Sequence, residues 1–256
     1  MTFLELFIHA WKTIWKSKLI WLFNLIIYAG YFILLLGRRF SIPIVCFLLL
    51  LLLLTLFLGG MGLILMVYRV IKYDHPSLID IWLSIKKYWA DYLLSGFYAF
   101  WLSLFIAVGI LFLGLAVIYL FILPAININR SNLLLYAIYS AAGIFAITLP
   151  FLTSIFFCAV VDRQLKISEA IHQGWALIKR DRVEIFGIII VFCVVALLTM
   201  TVVRSFPWTR YLTLALQFII NPLKAAVFVL AYLKFAERES APQTISTIWG
   251  DSHIGD

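Results

Sequence analysis

The main pattern along the chain is a series of long apolar runs separated by short polar segments. A membrane-spanning helix needs roughly 20 apolar residues, because each residue adds about 1.5 Å across a hydrocarbon layer of about 30 Å. Six runs are close to or above this length: 19–37, 43–68, 94–124, 132–160, 184–203 and 212–235. Short polar segments join them in pairs: "GRRFS", "ININRSN" and "RSFPWTR". The pattern predicts an all-α integral membrane fold with six transmembrane helices arranged as three hairpins.

A similar amphipathic segment precedes each predicted hairpin. The three segments read "AWKTIWKSKLIWLF", "IWLSIKKYWADYLL" and "GWALIKRDRVEIFG", and Trp11, Trp82 and Trp175 occupy the same position in them. An isoleucine follows each tryptophan after three residues and a base after five: Ile14, Ile85 and Ile178, then Lys16, Lys87 and Arg180. Polar residues recur with helical spacing on one face of each segment, so the segments are predicted to be amphipathic helices.

We expect these helices to lie in the cytoplasmic membrane interface, with the tryptophans at headgroup depth and the bases toward anionic lipid. Their predicted bounds are 3–16, 77–92 and 167–181. The threefold spacing predicts repeated units, 1–71, 75–160 and 165–238, within a single membrane domain 1–240 followed by a short cytoplasmic tail, 241–256. The alternative is that each segment is an amphipathic connector, with Trp and Lys where any membrane protein places them.

Composition and charge support a membrane location. Of the 256 residues, 65% are hydrophobic and 12% are charged, which excludes a soluble globular domain. Fourteen of the 20 Lys and Arg residues fall on one side of the predicted spans, five fall on the other, and Lys224 lies inside a span. By the positive-inside rule, both termini are predicted to be cytoplasmic, in the inner cell membrane. The net charge of +8 forms no separate basic domain, so the expected partners are the lipid bilayer, its anionic headgroups and other membrane proteins, and not nucleic acid.

The sequence contains no recognisable reactive or metal-binding motif. The three cysteines lie in apolar runs without metal-ligand spacing, and the four histidines have no carboxylate or cysteine at ligand spacing: Cys46, Cys158 and Cys193; His9, His75, His172 and His253. There is neither a P-loop nor a G-x-G-x-x-G turn. We therefore expect no catalytic residue, no cofactor and no metal.

The best candidate for a polar site is "QFIINPLKAAVF", where Gln217, Asn221 and Lys224 share a predicted span with Pro222. A lysine at the centre of a span costs about 2.5 to 3.5 kcal/mol on insertion scales, so something must compensate. Pro222 cannot donate to the carbonyl of Phe218, which leaves an acceptor free. The lysine could line a site for a polar or anionic substrate. Alternatively, it could bond free carbonyls or extend to an interface as a structural residue.

Two further features interrupt the apolar pattern. Pro150, in "AITLPFLTS", is expected to open the fourth span and to bring nearby hydroxyls into use: Thr148, Thr153 and Ser154. The glycines of "LGGMG", at 59, 60 and 62, are expected to allow close helix packing or a bend.

The stretch "VVDRQLKISEAIHQGWALIKRDRVEIFGIII", followed by "NPLKAAVFVLAYLKFAERE", resembles a broad group of six-helix bacterial and archaeal membrane proteins of unknown function. The group includes the membrane domain attached to some glycerophosphoryl diester phosphodiesterases. The matching positions are Val161, Asp162, Ala170, Trp175, Lys179, Pro222 and Tyr232. The resemblance implies a six-helix membrane fold. It implies no activity, because the phosphodiesterases carry a separate soluble catalytic domain, and this sequence ends soon after the last predicted span.

These observations predict a non-catalytic integral membrane protein that serves as an accessory or scaffold subunit of a membrane or envelope complex. The alternative is a transporter or lipid-handling protein with a polar site around Lys224.

Overall fold

The computed structural model describes residues 2–37, 42–73, 76–117, 130–205 and 209–240. These residues form helices and no strand. In chain order the helices are α1 (Phe3–Lys16), α2 (Lys18–Gly37), α3 (Ile42–Tyr73), α4 (Leu78–Val117), α5 (Arg130–Arg163), α6 (Ile167–Arg180), α7 (Arg182–Ser205) and α8 (Thr209–Ser240). The predicted tail, 241–256, lies outside the described residues.

Within the described residues, four helices contain a segment long and apolar enough to cross a membrane: Leu50–Tyr73, Leu78–Ala116, Ser140–Arg163 and Ala215–Arg238. They correspond to four of the six predicted spans. The first predicted span lies in α2, where the described apolar run is the shorter Lys18–Ala29, and the fifth lies in α7. The chain is therefore an all-α protein of membrane type, and the full set of six spans stays a prediction.

Two of the three predicted amphipathic segments are separate helices. The helix α1 has the predicted bounds, and its N-terminus is closed by a capping box in which Thr2 and Glu5 bond each other's backbone N–H. The hydrogen bond from the Thr2 backbone N–H is the main reason that the pKa of Glu5 lies below its usual value. The helix α6 matches the third predicted segment within one residue.

The prediction of a separate second amphipathic helix was wrong. Residues 78–92 are helical, but they continue without a break into the following span, so α4 has 40 residues. The junction contains only Ser95 and Gly96, which a helix interior tolerates, and no proline or polar loop. At 1.5 Å per residue α4 is about 60 Å long, twice the hydrocarbon thickness, so a large part of it must extend beyond the bilayer core.

The helices α2 and α3 form an antiparallel hairpin that depends on two glycines. A Cβ atom at Gly59 would lie 2.6 Å from Ile27, and one at Gly62 would overlap the ring of Phe23. Residue numbers rise along α3 as they fall along α2, which defines the antiparallel direction. The prediction that these glycines allow close packing is confirmed.

The helix α4 packs against α5 through a line of small buried residues. They recur every four residues: Ser95, Ala99, Ser103 and Ala107. Small residues at this spacing allow two helix backbones to approach closely in a membrane. The aromatic pairs Tyr92–Phe157 and Phe100–Phe145, with ring centroids 5.0 and 5.5 Å apart, show that the two helices are antiparallel.

The second half of α8 lies at the centre of the core, where it contacts several other helices. Nearly every residue from 225 to 236 is buried, whereas the preceding turns, 215 to 219, are mostly exposed. Phe228 joins α8 to α5 through Phe151 and to α7 through Phe192, with centroids 5.1 and 5.5 Å apart. The change from exposed to buried occurs at Pro222.

Candidate functional site

The carbonyl that Pro222 leaves without a donor is bonded by another helix. The side-chain amide of Asn24, on α2, donates to the carbonyl oxygen of Phe218 at 2.6 Å. Asn24 is fully buried, and its own carbonyl oxygen Oδ1 has no hydrogen-bonding partner among the residues that the structure describes. Pro222 thus leaves the carbonyl of Phe218 without a donor from its own helix, as the sequence predicts. The group that donates to this carbonyl is Asn24 and not Lys224. An orphaned carbonyl inside a bilayer is costly, so this bond stabilises the contact between α2 and the proline turn of α8.

Replacing Asn24 with leucine should lower the free energy of unfolding by about 1–3 kcal/mol, because the carbonyl of Phe218 is then left without a donor. Asn24→Asp should also destabilise, since a carboxylate cannot donate. The matched control is Asn221→Leu, because the Asn221 amide lies 3.5 Å from the hydroxyl of Tyr28, at the limit of a hydrogen bond. Thermal unfolding of wild type and the three variants in detergent measures these differences in stability. Equal melting temperatures for Asn24→Leu and wild type would contradict it.

The three predicted polar residues of α8 lie on one helix face, since they are spaced by four and three residues. Gln217 is exposed, and Asn221 and Lys224 are half-buried. Asn221 reaches toward α2 through Tyr28. Within the described parts of the chain, neither Gln217 nor Lys224 has a hydrogen-bonding or ion-pair partner. The structure thus places the three residues together without supplying a ligand for the lysine.

The hydroxyl groups near Pro150 bond to their own helix. Thr148 donates to the carbonyl of Ile144 at 2.9 Å, Thr153 to that of Leu149 at 2.8 Å, and Ser154 to that of Pro150 at 2.7 Å. All three side chains are buried in the core. They therefore satisfy their hydrogen-bonding capacity inside α5, which is the usual behaviour of Ser and Thr within helices.

A second polar cluster joins three helices at their charged ends. Asp162, near the end of α5, forms an ion pair with Lys72 of α3 and accepts a 2.6 Å hydrogen bond from the hydroxyl of Tyr68. The hydroxyl of Tyr232, on α8, approaches the other carboxylate oxygen at 3.3 Å. Lys72 also donates to the Tyr68 hydroxyl at 3.0 Å. We call Tyr68, Lys72, Asp162 and Tyr232 the Asp162 cluster.

The sequence alone did not identify the Asp162 cluster. Asp162 and Tyr232 belong to the motif that carries the family resemblance, but the motif assigned them no role. The available indication was a carboxylate directly after a long apolar run, where a charge requires a partner. Its partners are 94, 90 and 70 residues away in sequence, so pattern analysis could not have named them.

A third polar cluster connects α6, α7 and α8 at the same end of the bundle. Lys234 forms an ion pair with Glu184, and Arg238 bonds both Glu184 and Asp181 at 3.0 and 2.9 Å. Arg180 donates to the carbonyl of Phe235 in the last turns of α8. Cations at the C-terminal end of a helix are favoured by the partial negative charge of its carbonyls. Arg180, which was expected to face lipid, thus also bonds within the bundle.

The three tryptophans of the amphipathic segments point away from the bundle. Their exposed fractions are 45% for Trp11, 54% for Trp82 and 36% for Trp175. Equivalent neighbours are buried in all three segments: Ala10, Ile81 and Gly174 immediately before the tryptophan, and Thr13, Ser84 and Leu177 two residues after it. The three segments therefore pack on the bundle in the same register.

Basic side chains accompany these exposed tryptophans. The ammonium groups of Lys86 and Lys179 lie 5.7 and 5.8 Å from the ring centroids of Trp82 and Trp175. Both distances are within the range of cation–π interactions. Lys16 and Lys87 are exposed on the first and second segments. This arrangement is suited to contact with anionic headgroups, although contact with lipid stays a prediction.

Among the described residues, no group of three His, Cys, Asp or Glu side chains is placed to hold a metal ion. His9 and His172 are exposed, whereas Cys158 is buried and Cys193 is half-buried. Comparison with family models, with curated proteins and with solved structures finds no match for this chain. The resemblance of residues 160 to 239 to the six-helix group therefore stays a prediction.

Proposed function

We propose that this chain is a non-catalytic integral membrane protein that serves as an accessory or scaffold subunit of a membrane or envelope complex. The observation that carries the proposal is that described polar side chains inside the bundle form hydrogen bonds and ion pairs within the bundle itself. Asn24 bonds the carbonyl freed by Pro222, the Asp162 cluster ties α3, α5 and α8 together, and the hydroxyls beside Pro150 bond their own helix. These internal polar groups stabilise the bundle, which supports a function carried by its surface.

The surface supports this proposal in two regions. The helix α4 is largely uncovered, with exposed aromatic side chains along much of its length: Trp82, Trp89, Phe97, Trp101, Phe105 and Phe112. The amphipathic segments present exposed tryptophans with lysines beside them. The first region suits acyl chains or a neighbouring helix, and the second suits anionic headgroups.

Affinity purification of the full chain from native membranes in mild detergent tests the proposal. An accessory subunit should co-purify with another membrane protein at a fixed stoichiometry, and the purified complex should keep that ratio on size-exclusion chromatography. Turnover of a lipid or phosphodiester by the purified chain, abolished by a point mutation that preserves the fold, would overturn the proposal.

The proposal includes six spans in the inner membrane, with both termini cytoplasmic. In a variant without native cysteines, cysteine at Arg130 should react with an impermeant maleimide added to intact cells. Cysteine at Lys87 should react only after permeabilisation, because the basic residues are retained on the cytoplasmic side. Equal labelling of both sites from outside would contradict this topology.

A second candidate function, a transporter or lipid-handling protein, is favoured by one specific observation. Lys224 is half-buried in a segment long enough to span the membrane, and no described residue neutralises it. Together with Asn221 and Gln217 it could bind an anionic or zwitterionic substrate between helices. A transport role requires its charge, so removal of the charge without loss of fold distinguishes the two functions.

A further inference from the structure

The second and third amphipathic segments each place a lysine beside the exposed tryptophan. Lys86 and Lys179 follow Trp82 and Trp175 by four residues, about one helical turn, and lean back toward the ring as helical side chains do. Both lysines are exposed. Within the described parts of the chain, neither ammonium group forms a hydrogen bond or an ion pair. Each segment therefore presents an exposed cation and an exposed ring together at its surface.

The base five residues after each tryptophan, which the sequence predicted to face lipid, is directed elsewhere. Arg180 donates to the carbonyl of Phe235 and pairs with Asp181. The ammonium group of Lys87 lies 4.7 Å from the ring centroid of Tyr88, and that ring packs against the core. The structure thus assigns the outward-facing cation to the fourth position after the tryptophan and not to the fifth.

The first amphipathic segment differs at this fourth position. There Trp15 replaces the lysine, and its ring lies edge-to-face with that of Trp11, with centroids 5.9 Å apart. Both rings are exposed. The first segment therefore has the apolar part of the arrangement without the cation beside it.

An exposed apolar stripe continues from each lysine along the helix that follows. Its members recur every three or four residues: Leu93, Phe97 and Phe100 on α4, and Phe186, Ile190 and Val194 on α7. The distance along α4 from Lys86 to Phe100 is about 21 Å, which matches the thickness of one leaflet with its headgroups, about 20–22 Å. A cation followed by an apolar stripe of this length has the chemistry and size to bind one phospholipid.

The charges around the lysines favour a headgroup with net negative charge. The carboxylates of Asp80 and Asp181, which flank the two lysines in sequence, are already bonded to Ser77 and Arg238. They are not available to the ammonium group of a zwitterionic headgroup. The phosphate of an anionic lipid needs only the lysine, and an acidic peptide would leave the apolar stripe uncovered.

We propose that the pairs Trp82–Lys86 and Trp175–Lys179 each bind the headgroup of one anionic phospholipid, whose acyl chains lie along the apolar stripe of α4 or α7. The first segment holds no such lipid. This inference rests on the proposed membrane orientation and goes beyond the accessory role, because it concerns specific lipids and not a protein partner.

Native mass spectrometry of the full chain tests the inference. The protein is purified in mild detergent and incubated with equal amounts of phosphatidylglycerol and phosphatidylcholine. Wild type should retain two phosphatidylglycerol molecules, each bound about fivefold more tightly than phosphatidylcholine, as expected for one lysine next to an anionic lipid. Lys86→Met and Lys179→Met should each retain one, and the double variant should show no preference. The matched control, Lys87→Met, removes a neighbouring charge and should retain two.

A preference for phosphatidylglycerol that survives in the double variant, or an equal loss in Lys87→Met, would overturn the inference. Displacement of phosphatidylglycerol by inorganic phosphate at the same concentration would assign the lysines to a free anion and would also overturn it. Purification from native membranes tests the accessory role separately. A stoichiometric protein partner of a wild type that shows no lipid preference would support the accessory role and refute the lipid sites alone.

Discussion

Replacing Asp162 with leucine should lower the free energy of unfolding by about 2–6 kcal/mol, one of the largest losses expected among single substitutions in this chain. The two side chains have the same number and branching of heavy atoms, so the change keeps a side chain of similar shape and removes the acceptor. The buried hydroxyls of Tyr68 and Tyr232 then lose their carboxylate partner, at a cost of about 1–3 kcal/mol each. Thermal unfolding of the full chain in detergent measures the effect.

The ion pair within the Asp162 cluster contributes less than the tyrosine hydrogen bonds. The side chain of Lys72 is 41% exposed, so solvent screens its attraction to Asp162. Lys72→Met should therefore cost about 1 kcal/mol or less. Asp162→Asn, which keeps an acceptor oxygen, should be intermediate. Adding Tyr68→Phe to Asp162→Leu should recover stability, because it removes one orphaned hydroxyl. A loss of stability for Lys72→Met as large as that for Asp162→Leu would show that the ion pair contributes as much as the tyrosine hydrogen bonds, and would contradict this prediction.

Replacing Gly62 with alanine should lower the free energy of unfolding by about 1–3 kcal/mol, the usual cost of overpacking. The added methyl group would overlap the ring of Phe23 on the neighbouring helix α2. The backbones of α2 and α3 must therefore move apart. The matched control is Gly109→Ala in α4, where an added Cβ has no neighbour within 4 Å. That change should be neutral or slightly stabilising, because alanine favours a helix more than glycine does.

The cause of the Gly62 effect can be tested by shortening its neighbour. Phe23→Leu removes the ring that the new methyl group would meet, so it should be less damaging in the Gly62→Ala background than in wild type. A coupling energy of this kind identifies direct contact between two positions. Equal melting temperatures for Gly62→Ala and Gly109→Ala, or strictly additive effects with Phe23→Leu, would argue against glycine-dependent packing.

The elements that the sequence predicted well are those governed by local pattern. The bounds of α1 and α6 follow from amphipathic periodicity. Gly59 and Gly62 indicate close helix packing because they occur together in an apolar run. The wrong prediction of a helix boundary within α4 came from composition and not from periodicity. A change from amphipathic to uniformly apolar composition suggested a boundary near residue 93, but composition can change along a helix without interrupting its backbone hydrogen bonds.

The partners of the polar groups could not be predicted because they come from distant parts of the chain. Pro222 indicated a free carbonyl at Phe218, but Asn24, its donor, is 194 residues away. Asn24 itself is a single amide in an apolar run, with nothing in its neighbours to suggest a role. The same limit applies to Asp162, whose partners come from α3 and α8. Lys224 is the reverse case, since its position inside a span was evident from the sequence and no described residue pairs with it.

The central claim is that the protein is not a transporter, so that the charge of Lys224 is not required to move a substrate. The most direct measurement compares wild type and Lys224→Met for thermal stability in detergent and for flux of phospholipid and of organic anions in proteoliposomes. We predict no flux in either protein and equal or higher stability in the variant, because an uncompensated ammonium is removed from the membrane interior. Flux in wild type that disappears in a stably folded Lys224→Met would contradict the account.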